Sequence, residues 1–404
     1  MINTNTEKII KAIGEVVGSF NRENPVPLHE PFLENPNIVT YLEDCIDSGW
    51  VSSAGKWVDK FEHQLCKFTG ANYAIAVTNG TVGLRLALYI VGVRKGDEVL
   101  IPPLSFVATA NSISHLNAFP HFIDIDSQTL GMCPSSLAKR LDEIAVVKNG
   151  QVINKETQRK ISAIMPVHVF GLPCKLYEIK KIADQWKIPV VEDAAEALGS
   201  GFLKEGSSIH CGLSSEIGVI SFNGNKIITS GGGGALITNN LKHATLAKHL
   251  STTAKVPHKW ELSHDQVAWN DRMPNINAAL VFAQLENIKS ILERKKNLKQ
   301  KYKKAFRNLG FMELLDEDDK TFTNDWLITI RLNSNSQSEV SKQREHLLEA
   351  ANSSGLLLRP AWQLLNSLSF YSQMPSAKLT KSKEEINRII NLPSSPKLID
   401  KGTI

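Results

Sequence analysis

The sequence predicts an α/β protein whose core is a mostly parallel sheet with helices on both faces. Short apolar runs alternate with helical patterns between residues 73 and 238, and such alternation is typical of parallel strands joined by helices. Small or polar side chains follow the runs, namely Asn79, Ser105, His168, Asp193 and Ser221. Because ligands bind beyond the carboxyl ends of such strands, these side chains are expected to converge on one site.

The first predicted elements are three helices. Residues Glu7 to Phe20 carry apolar side chains at helical spacing, so this amphipathic helix should dock on the protein body or on a partner subunit. Helices are also expected at Asn35–Asp47 and Lys56–Phe68. The core strands then follow at Tyr73–Val77, Val99–Ile101, Phe119–Ile123, Ala163–Pro166, Pro189–Glu192, Gly218–Ser221 and Ala235–Thr238.

The remaining sequence predicts a smaller α+β domain. A long helical pattern runs from Asn277 to about Leu309 and leaves the core. Beyond it we expect a strand at Trp326–Leu332 and helices near Gln343–Asn352 and Lys383–Ile390. A chain of 404 residues with 42% hydrophobic content can bury a large core. The predicted division is therefore a large domain over residues 1–285 and a small one over 286–404.

Charge and cysteine content exclude several classes of protein. The formal net charge of +5 is spread along the chain, which gives little reason to expect binding to nucleic acid or to a membrane. The five cysteines are widely spaced and form no CxxC pair, so neither a disulfide framework nor a zinc site is expected. There is no signal-peptide pattern, and no apolar stretch approaches a membrane span. These features favour a cytoplasmic enzyme without a metal.

Lys226 is the most informative residue. It follows an apolar run and precedes four glycines, and an acidic stretch containing Asp193 lies about thirty residues earlier. Pyridoxal phosphate needs a lysine for an imine, an aspartate that keeps its pyridine nitrogen protonated, and donors for its phosphate. A surface lysine is usually only solvated and a strand-end aspartate is often a helix cap. The combination of Lys226 and Asp193 predicts this cofactor.

A phosphate site is expected where the first core strand ends. Gly80 allows close approach of the backbone, Thr81 adds a hydroxyl and an amide, and Ser221 could reach the same phosphate from a neighbouring strand. Free amides at a helix N-terminus suit a dianion, although Asn-Gly-Thr is also an ordinary helix cap. The GxxxxGK[ST] loop of nucleotide-binding proteins does not occur, and the four glycines lack the spacing of a dinucleotide fold.

Two further side chains are candidates for the same site. Phe106 follows another strand and could stack on a flat cofactor ring, while a plain core phenylalanine is the alternative. His168 could belong to the site or be a hydrogen-bonded core histidine. The sequence contains no HExxH, no Cys/His finger spacing and no GxSxG elbow, so metal-dependent and serine hydrolases are not favoured.

Taken together, these residues resemble the DegT/StrS sugar aminotransferases, which are pyridoxal phosphate enzymes with the aspartate aminotransferase type of fold. The resemblance extends almost from end to end, and the order and spacing of its motifs make it specific. These motifs are Gly49-Trp50-Val51-Ser52, Phe61-Glu62, Asn79-Gly80-Thr81, Gly96-Asp97-Glu98-Val99, Pro103-Leu104-Ser105-Phe106-Val107-Ala108-Thr109, Pro166-Val167-His168, Glu192-Asp193-Ala194-Ala195, Ser221-Phe222 with Lys226, and Asn270-Asp271-Arg272-Met273.

The resemblance implies a role for each site residue. Lys226 would form the imine with the cofactor, Asp193 would pair with the pyridine nitrogen, and Phe106 would stack on the ring. Asn270 would reach the phosphate of the partner subunit's cofactor, which implies a homodimer with shared active sites. The phosphate of the same subunit would be held by Gly80, Thr81 and Ser221.

Two positions depart from the family pattern. Glu196 stands where many members have glutamine or histidine near the phenolic oxygen of the cofactor, so we expect a raised pKa or a shifted pose for this carboxyl. The run from Gly231 to Gly234 stands where Gly-Glu-Gly-Gly is usual. With Pro27-Leu28-His29-Glu30-Pro31 and Arg359-Pro360-Ala361-Trp362, these features resemble the branch that serves bacillosamine and legionaminic acid synthesis.

That branch implies amino transfer from L-glutamate to carbon four of a nucleotide-linked 4-keto-6-deoxy sugar, here UDP-2-acetamido-2,6-dideoxy-4-ketohexose. Substrate candidates are Trp50, His168, Arg272 and Trp362, and Arg272 could equally serve the dimer interface. Three alternatives stay open: an aminotransferase that acts at a different sugar position or on a GDP- or dTDP-linked sugar (perosamine-like or 3-amino sugar), a sugar dehydratase of the same fold, and a noncatalytic regulator. The dehydratase has histidine in place of the imine lysine, so Lys226 counts against it.

Overall fold

The computed structural model describes residues 2–334 and 336–399 of the chain and begins with three helices. They are α1 (Ile2–Val17), α2 (Asn37–Asp47) and α3 (Lys56–Thr69). The apolar side chains of α1 are buried, with Ile9 and Ile13 at 0% exposure. The predicted amphipathic helix therefore exists, although it starts and ends earlier than expected, and it docks on the body of the protein.

Alternating strands and helices follow, as the sequence predicts. The strands are β1 (Tyr73–Val77), β2 (Glu98–Ile101), β3 (Phe119–Phe122), β4 (Ala145–Lys148), β5 (Gln151–Asn154), β6 (Ile161–Ile164), β7 (Val191–Asp193), β8 (Gly201–Lys204), β9 (Ser207–His210), β10 (Ile217–Ser221), β11 (Gly234–Thr238), β12 (Lys255–Val256) and β13 (Ser263–His264). The helices are α4 (Gly80–Ile90), α5 (Ala108–Ser114), α6 (Pro134–Ile144), α7 (Leu176–Trp186), α8 (Leu241–Ser251) and α9 (Asn275–Glu286).

The main sheet has the strand order β1-β11-β10-β7-β6-β2-β3. A four-stranded part and a three-stranded part are connected by the parallel bridges Ile164 to Val190 and Val167 to Asp193. Strand β11 is antiparallel to both of its neighbours, whereas the pairs β10 with β7, β2 with β3 and β2 with β6 are parallel. The prediction of a mostly parallel sheet is confirmed.

The C-terminal part contains a second sheet. Its elements are α10 (Ile288–Phe306), β14 (Met312–Leu314), β15 (Thr321–Phe322), β16 (Thr329–Leu332), α11 (Gln337–Ser353), β17 (Arg359–Pro360), α12 (Thr380–Glu385) and β18 (Ile389–Asn391). Strands β14, β16, β18 and β17 pair in this order, and β15 pairs instead with β8 of the large part. Short 3₁₀ helices lie at Val169–Gly171, Leu365–Ser367 and Pro396–Leu398.

Two sequence predictions in this part need correction. The long helical pattern is divided at Asn287 into α9 and α10. The helix expected at Lys383–Ile390 ends at Glu385, because Ile389 and Ile390 belong to β18 and are buried in the sheet. Pairing with β16 and β17 determines that structure, and such pairing is not visible in a local apolar pattern.

Helix α1 also requires a correction. Its residues Ile9 and Ile13 share a core with Ile330 of β16 and Leu347 of α11. The helix therefore packs on β16 and α11 in the C-terminal part of the chain, whereas the predicted division grouped it with the large domain. The boundary at residue 285 falls at the end of α9 and stays a prediction, and its small domain includes residues 335 and 400–404, which lie outside the described residues. Every helix among the described residues is too short or too polar to span a bilayer.

Candidate active site

Polar residues from adjacent strands meet at the carboxyl end of the main sheet. Asp193 and Ser221 are the last residues of β7 and β10, and the parallel register places Asp193 opposite Val219. Asn79 follows β1 and caps α4, where its side chain accepts a 3.0 Å hydrogen bond from the amide of Val82. The convergence predicted from the sequence is present.

Gly80 and Ser221 lie next to each other at the start of α4. A Cβ atom built on Gly80 would lie 3.1 Å from Cβ and 3.3 Å from Oγ of Ser221. The first amides of an α-helix, here those of Gly80 and Thr81, have no acceptor within the helix. This corner therefore combines free amides, a helix N-terminus and the Ser221 hydroxyl, a set of donors suited to an anion.

The run from Gly231 to Gly234 ends in close contact with this corner. A Cβ on Gly234 would lie 2.6 Å from the carbonyl carbon of Asn79 and 2.8 Å from the amide nitrogen of Gly80, so only glycine fits there. At Gly232 the nearest atom would be 3.8 Å away. Gly232 occupies the position where the family pattern has glutamate, and the structure has room for a side chain at this position.

Lys226 lies in a buried pocket beside a carboxylate and an aromatic ring. The residue is 9% exposed, and its Nζ donates to Oε1 of Glu196 at 3.2 Å. The same Nζ lies 4.0 Å from the ring centroid of Trp326, and the Trp326 indole donates a 2.7 Å hydrogen bond to the carbonyl of Asn225. Trp326 was not singled out in the sequence because it is a hundred residues away.

Asp193 is held by hydroxyl and amide donors. Its Oδ2 accepts a 2.7 Å hydrogen bond from Thr109, which lies 2.6 Å from the Ser105 hydroxyl, and its Oδ1 accepts from the Ala195 amide at 3.2 Å. Burial raises the pKa of Asp193, and the hydrogen bond from Thr109 and the charge of Lys226 oppose that rise. A cation at Asp193 would favour the ionised form.

Glu196 is a second buried carboxyl in the same pocket. Its Oε2 accepts a 2.8 Å hydrogen bond from the amide of Phe170, and its residue is 6% exposed. Burial raises the pKa of Glu196, while the positive charge of Lys226 opposes the rise. The direction agrees with the sequence analysis, although the expected cause was repulsion from a cofactor oxygen and the cause in the structure is burial.

An aromatic wall borders the pocket. Phe106 is 51% exposed, so the alternative of a core phenylalanine is wrong. Its ring lies 6.4 Å from that of Trp362, which in turn packs at 4.9 Å on the ring of Phe170. The structure therefore brings Phe106 and Trp362 together, and the buried Phe170, which the sequence analysis missed, supports the ring of Trp362.

Asn270 and Arg272 lie near the phosphate corner formed by Gly80 and Ser221, and their side chains are at least partly exposed. The guanidinium of Arg272 donates to Oδ1 of Asn270 at 3.1 and 3.2 Å. The segment is connected to the phosphate corner, because the amide of Thr78 donates to the carbonyl of Asp271 at 2.8 Å. Trp50 is 58% exposed and is available for contact with a ligand or another subunit.

His168 is a core residue, which corrects its assignment as a substrate contact. It has 0% exposure, its Nε2 lies 3.0 Å from Oε2 of Glu192, and its Nδ1 accepts from the amide of Cys174 at 3.1 Å. Both ring nitrogens are therefore occupied by protein groups, and no surface of the side chain is left for a ligand.

The residues present fit pyridoxal phosphate. The cofactor needs a lysine, a carboxylate for its ring nitrogen and donors for its phosphate, and the pocket supplies Lys226, Asp193 and the corner at Gly80 and Ser221. The hydrogen bonds to the buried Asp193 carboxylate come from uncharged donors, the Thr109 hydroxyl and the Ala195 amide, and a protonated pyridine nitrogen would add a charged partner. Among the described residues, no group of three potential metal ligands occurs.

A separate cavity of about 610 Å³ lies between residues 172–178 and 313–318. Its lining residues include none of the site residues named above, and its acidic and basic side chains nearly balance. We therefore assign the chemistry to the pocket around Lys226, where the convergent polar groups lie.

Comparison with known proteins agrees with the geometry. The sequence is 33% identical over 378 residues to the GDP-perosamine synthase of Vibrio cholerae, covering 93% of this chain and 95% of that one. It is 32% identical over 382 residues to the GDP-perosamine synthase of Escherichia coli O157:H7, covering 94% and 96% of the two chains.

The fold is also shared with solved structures. The aminotransferase TlmJ from Streptoalloteichus hindustanus superposes with a TM-score of 0.81 at 22% identity, covering 93% of this chain and 95% of that one. This similarity confirms the predicted fold class. Residues 33–403 match the model of one family, and the chain therefore belongs to the DegT/DnrJ/EryC1/StrS aminotransferase family.

Proposed function

We propose that this aminotransferase moves an amino group from L-glutamate to carbon four of a nucleotide-linked keto sugar. Family membership establishes the aminotransferase class and pyridoxal phosphate as its cofactor. The observation that carries the proposal is the buried Lys226, paired with Glu196 at 3.2 Å and close to Asp193 at the carboxyl end of the sheet. The donor and the acceptor are part of the proposal.

Bound pyridoxal phosphate supplies a reactive aldehyde and an electron-withdrawing ring. Asp193 holds a negative charge where the ring nitrogen would lie, and the hydrogen bond from Thr109 helps to keep that charge. Lys226 would hold the cofactor, and its amine could then accept and donate a proton as base and acid. The exposed ring of Phe106 would be available to stack on the cofactor ring.

The phosphate would be held at the start of α4. The amides of Gly80 and Thr81 and the hydroxyl of Ser221 would donate to its oxygens, and the helix N-terminus would add a favourable dipole. The absence of a side chain at Gly80 allows the close approach. Trp50, Trp362 and Arg272 stay candidates for contacts with the acceptor sugar.

The comparisons favour a GDP-linked acceptor over the UDP-linked acceptor expected from the sequence. Two relatives at 33% and 32% identity are named GDP-perosamine synthases. The UDP-linked 4-keto acetamido sugar is the second candidate, supported by the segments 27–31 and 359–362. Mass spectrometry of reactions with L-glutamate and either keto sugar distinguishes the two acceptors. If neither sugar is converted to an amino sugar, the proposal is contradicted.

A homodimer with shared sites is also part of the proposal. The segment before Asn270 exposes large apolar side chains, with Trp260 at 77%, Leu262 at 76% and Val267 at 94% exposure. Such a patch on a folded surface is typical of an interface. Asn270 would then contact the cofactor phosphate of the partner subunit.

A subunit-mixing experiment tests the shared site. Lys226→Ala and Asn270→Ala subunits are each impaired, but a mixed dimer contains one site with both native residues if Asn270 acts across the interface. Activity regained on mixing supports the proposal, and no gain in a verified mixed dimer contradicts it.

We also propose a cytoplasmic location, because all five cysteines are free thiols.

A further inference from the structure

Lys226 and Glu196 form an ion pair that is almost closed to solvent. Their side chains are 11% and 5% exposed, and Nζ lies 3.2 Å from Oε1. A lysine that acts as a base must first lose its proton, and the burial of both side chains restricts its contact with bulk water. The group that accepts a hydrogen bond from the Lys226 ammonium is the carboxyl of Glu196.

The protein holds the Glu196 carboxyl in a defined orientation. Its Oε2 is occupied by the amide of Phe170, which leaves Oε1 directed at Lys226. Phe170 has a φ of 58°, a conformation that is unfavourable for a bulky side chain. The backbone carbonyl of Glu196 also accepts a 2.8 Å hydrogen bond from Asn324. The backbone of Phe170 is therefore strained at the position where its amide orients the Glu196 carboxyl.

We propose that Glu196 is the proton partner of Lys226, in addition to any contact it makes with the cofactor. The N–H bond of the Lys226 ammonium breaks, its electron pair stays on Nζ, and an O–H bond forms at Oε1 of Glu196. The products are a neutral amine and a neutral carboxylic acid, so the pair keeps its net charge of zero. The reverse transfer restores the ammonium when the lysine is next released.

The charges around Glu196 favour a shared proton. The groups that face it are Lys226, the Phe170 amide and the Asp193 carboxylate. Burial and the negative charge of Asp193 both raise the pKa of Glu196, whereas Lys226 and the amide lower it. The net result is a raised pKa. It brings the proton affinity of the Glu196 carboxylate closer to that of an amine, which favours proton transfer between the two groups.

The inference rests on the proposed aminotransferase reaction, and half-reactions can test the two separately. Glu196→Gln keeps the shape of the side chain and can still accept from Phe170, but its amide cannot take a proton. We expect cofactor loading to be retained and the rate of amino transfer from L-glutamate to fall by about 10²- to 10⁴-fold, the usual contribution of general acid–base groups. Wild-type protein that fails to react with L-glutamate would instead contradict the proposed function.

Glu216→Gln is a matched control. Glu216 also accepts a 2.8 Å hydrogen bond from a backbone amide, that of Val190, but it lies at the amino end of β10, away from Lys226. We expect this variant to transfer the amino group at the wild-type rate. A Glu196→Gln protein that is equally fast would overturn the inference.

A readout that does not depend on activity is the infrared band of the Glu196 carboxylic acid, recorded on cofactor-free protein labelled with ¹³C-glutamate. Subtraction of the Glu196→Gln spectrum identifies the band. Lys226→Met removes the cation that lowers the pKa of Glu196, so the acid band should persist to higher pH than in the wild type. The same titration in both proteins would show that the two groups share no proton.

Should Glu196→Gln not fold, Glu196→Asp gives the alternative test. It keeps a carboxyl but moves it away from Nζ, and we expect the half-reaction rate to fall while the acid band remains. An unchanged rate in a folded Glu196→Asp protein would contradict the inference.

Discussion

The hydroxyl of Thr109 donates a 2.7 Å hydrogen bond to Oδ2 of Asp193. Thr109 lies in the first turn of α5, and the Ser105 hydroxyl lies 2.6 Å from its Oγ1. Burial raises the pKa of Asp193, and the hydrogen bond from Thr109 opposes that rise. This hydrogen bond therefore helps Asp193 to stay ionised where the cofactor needs a negative charge.

Thr109→Val should weaken cofactor binding. The change removes a hydrogen bond to a charged group, which contributes about 1.5–3 kcal/mol, and it raises the pKa of Asp193 further. We expect at least about a tenfold higher dissociation constant for pyridoxal phosphate, measured by fluorescence titration. Thr109→Ser keeps the hydroxyl and should bind like the wild type; equal weakening in both variants would refute the role of the hydroxyl.

Gly234→Ala should disturb the phosphate corner, whereas Gly232→Ala should not. The new Cβ at 234 would lie within 2.8 Å of Asn79 and Gly80 backbone atoms, while at 232 the nearest atom is 3.8 Å away. Overpacking of this kind costs about 1–3 kcal/mol. Titration with pyridoxal phosphate, at equal amounts of folded protein, measures the dissociation constant of each variant. Equal dissociation constants would contradict this account.

Lys226→Ala should abolish turnover but leave the phosphate corner and Asp193 intact. We expect the variant to bind pyridoxal phosphate without the absorbance of the lysine-bound cofactor. Steady-state transamination is the decisive assay, since activity near the wild-type level would mean that another group performs the lysine's role.

His210 should make folding stability depend on pH. Its Nε2 accepts from the amide of Gly199 at 2.7 Å and its Nδ1 lies 2.5 Å from the carbonyl of Cys211, so the ring is neutral. Burial lowers the pKa of His210 to about 4, below the value of about 6.5 in an unfolded chain. As pH falls between these values, the unfolded state gains a proton and the folded state does not, so stability falls.

The His210 contribution is at most about 1.4 kcal/mol per pH unit. Urea unfolding of the wild type and of His210→Gln, at about pH 7.5 and about pH 5, measures it. The variant should lose less of its free energy of unfolding on acidification. Equal losses would show that His210 is not responsible.

Much of the fold could be predicted because the core strands are apolar and their ends are polar. The runs ending near Asn79, Asp193 and Ser221 identified both the sheet and its functional edge. The hairpins β4–β5 and β8–β9 were missed, since their residues are partly exposed and lack a clear apolar pattern.

The parts of the site that could not be predicted depend on contacts distant in sequence. Trp326 lies over Lys226 because the segment before β16 contacts the loop that carries Lys226, where the Trp326 indole donates to the carbonyl of Asn225. Phe170 adopts a positive φ that nothing in its local sequence requires. For His168 the sequence left a core and a site role open, and only its contacts with Glu192 and Cys174 decide between them.

The most direct test of the central claim is the absorbance spectrum of the pyridoxal phosphate-loaded protein, recorded before and after L-glutamate and then after a nucleotide-linked 4-keto-6-deoxy sugar. Parallel samples receive the GDP-linked sugar or UDP-2-acetamido-2,6-dideoxy-4-ketohexose. We predict that L-glutamate removes the band of the lysine-bound cofactor and that the GDP-linked sugar restores it. A band that L-glutamate does not change, or that neither sugar restores, would contradict the proposed reaction.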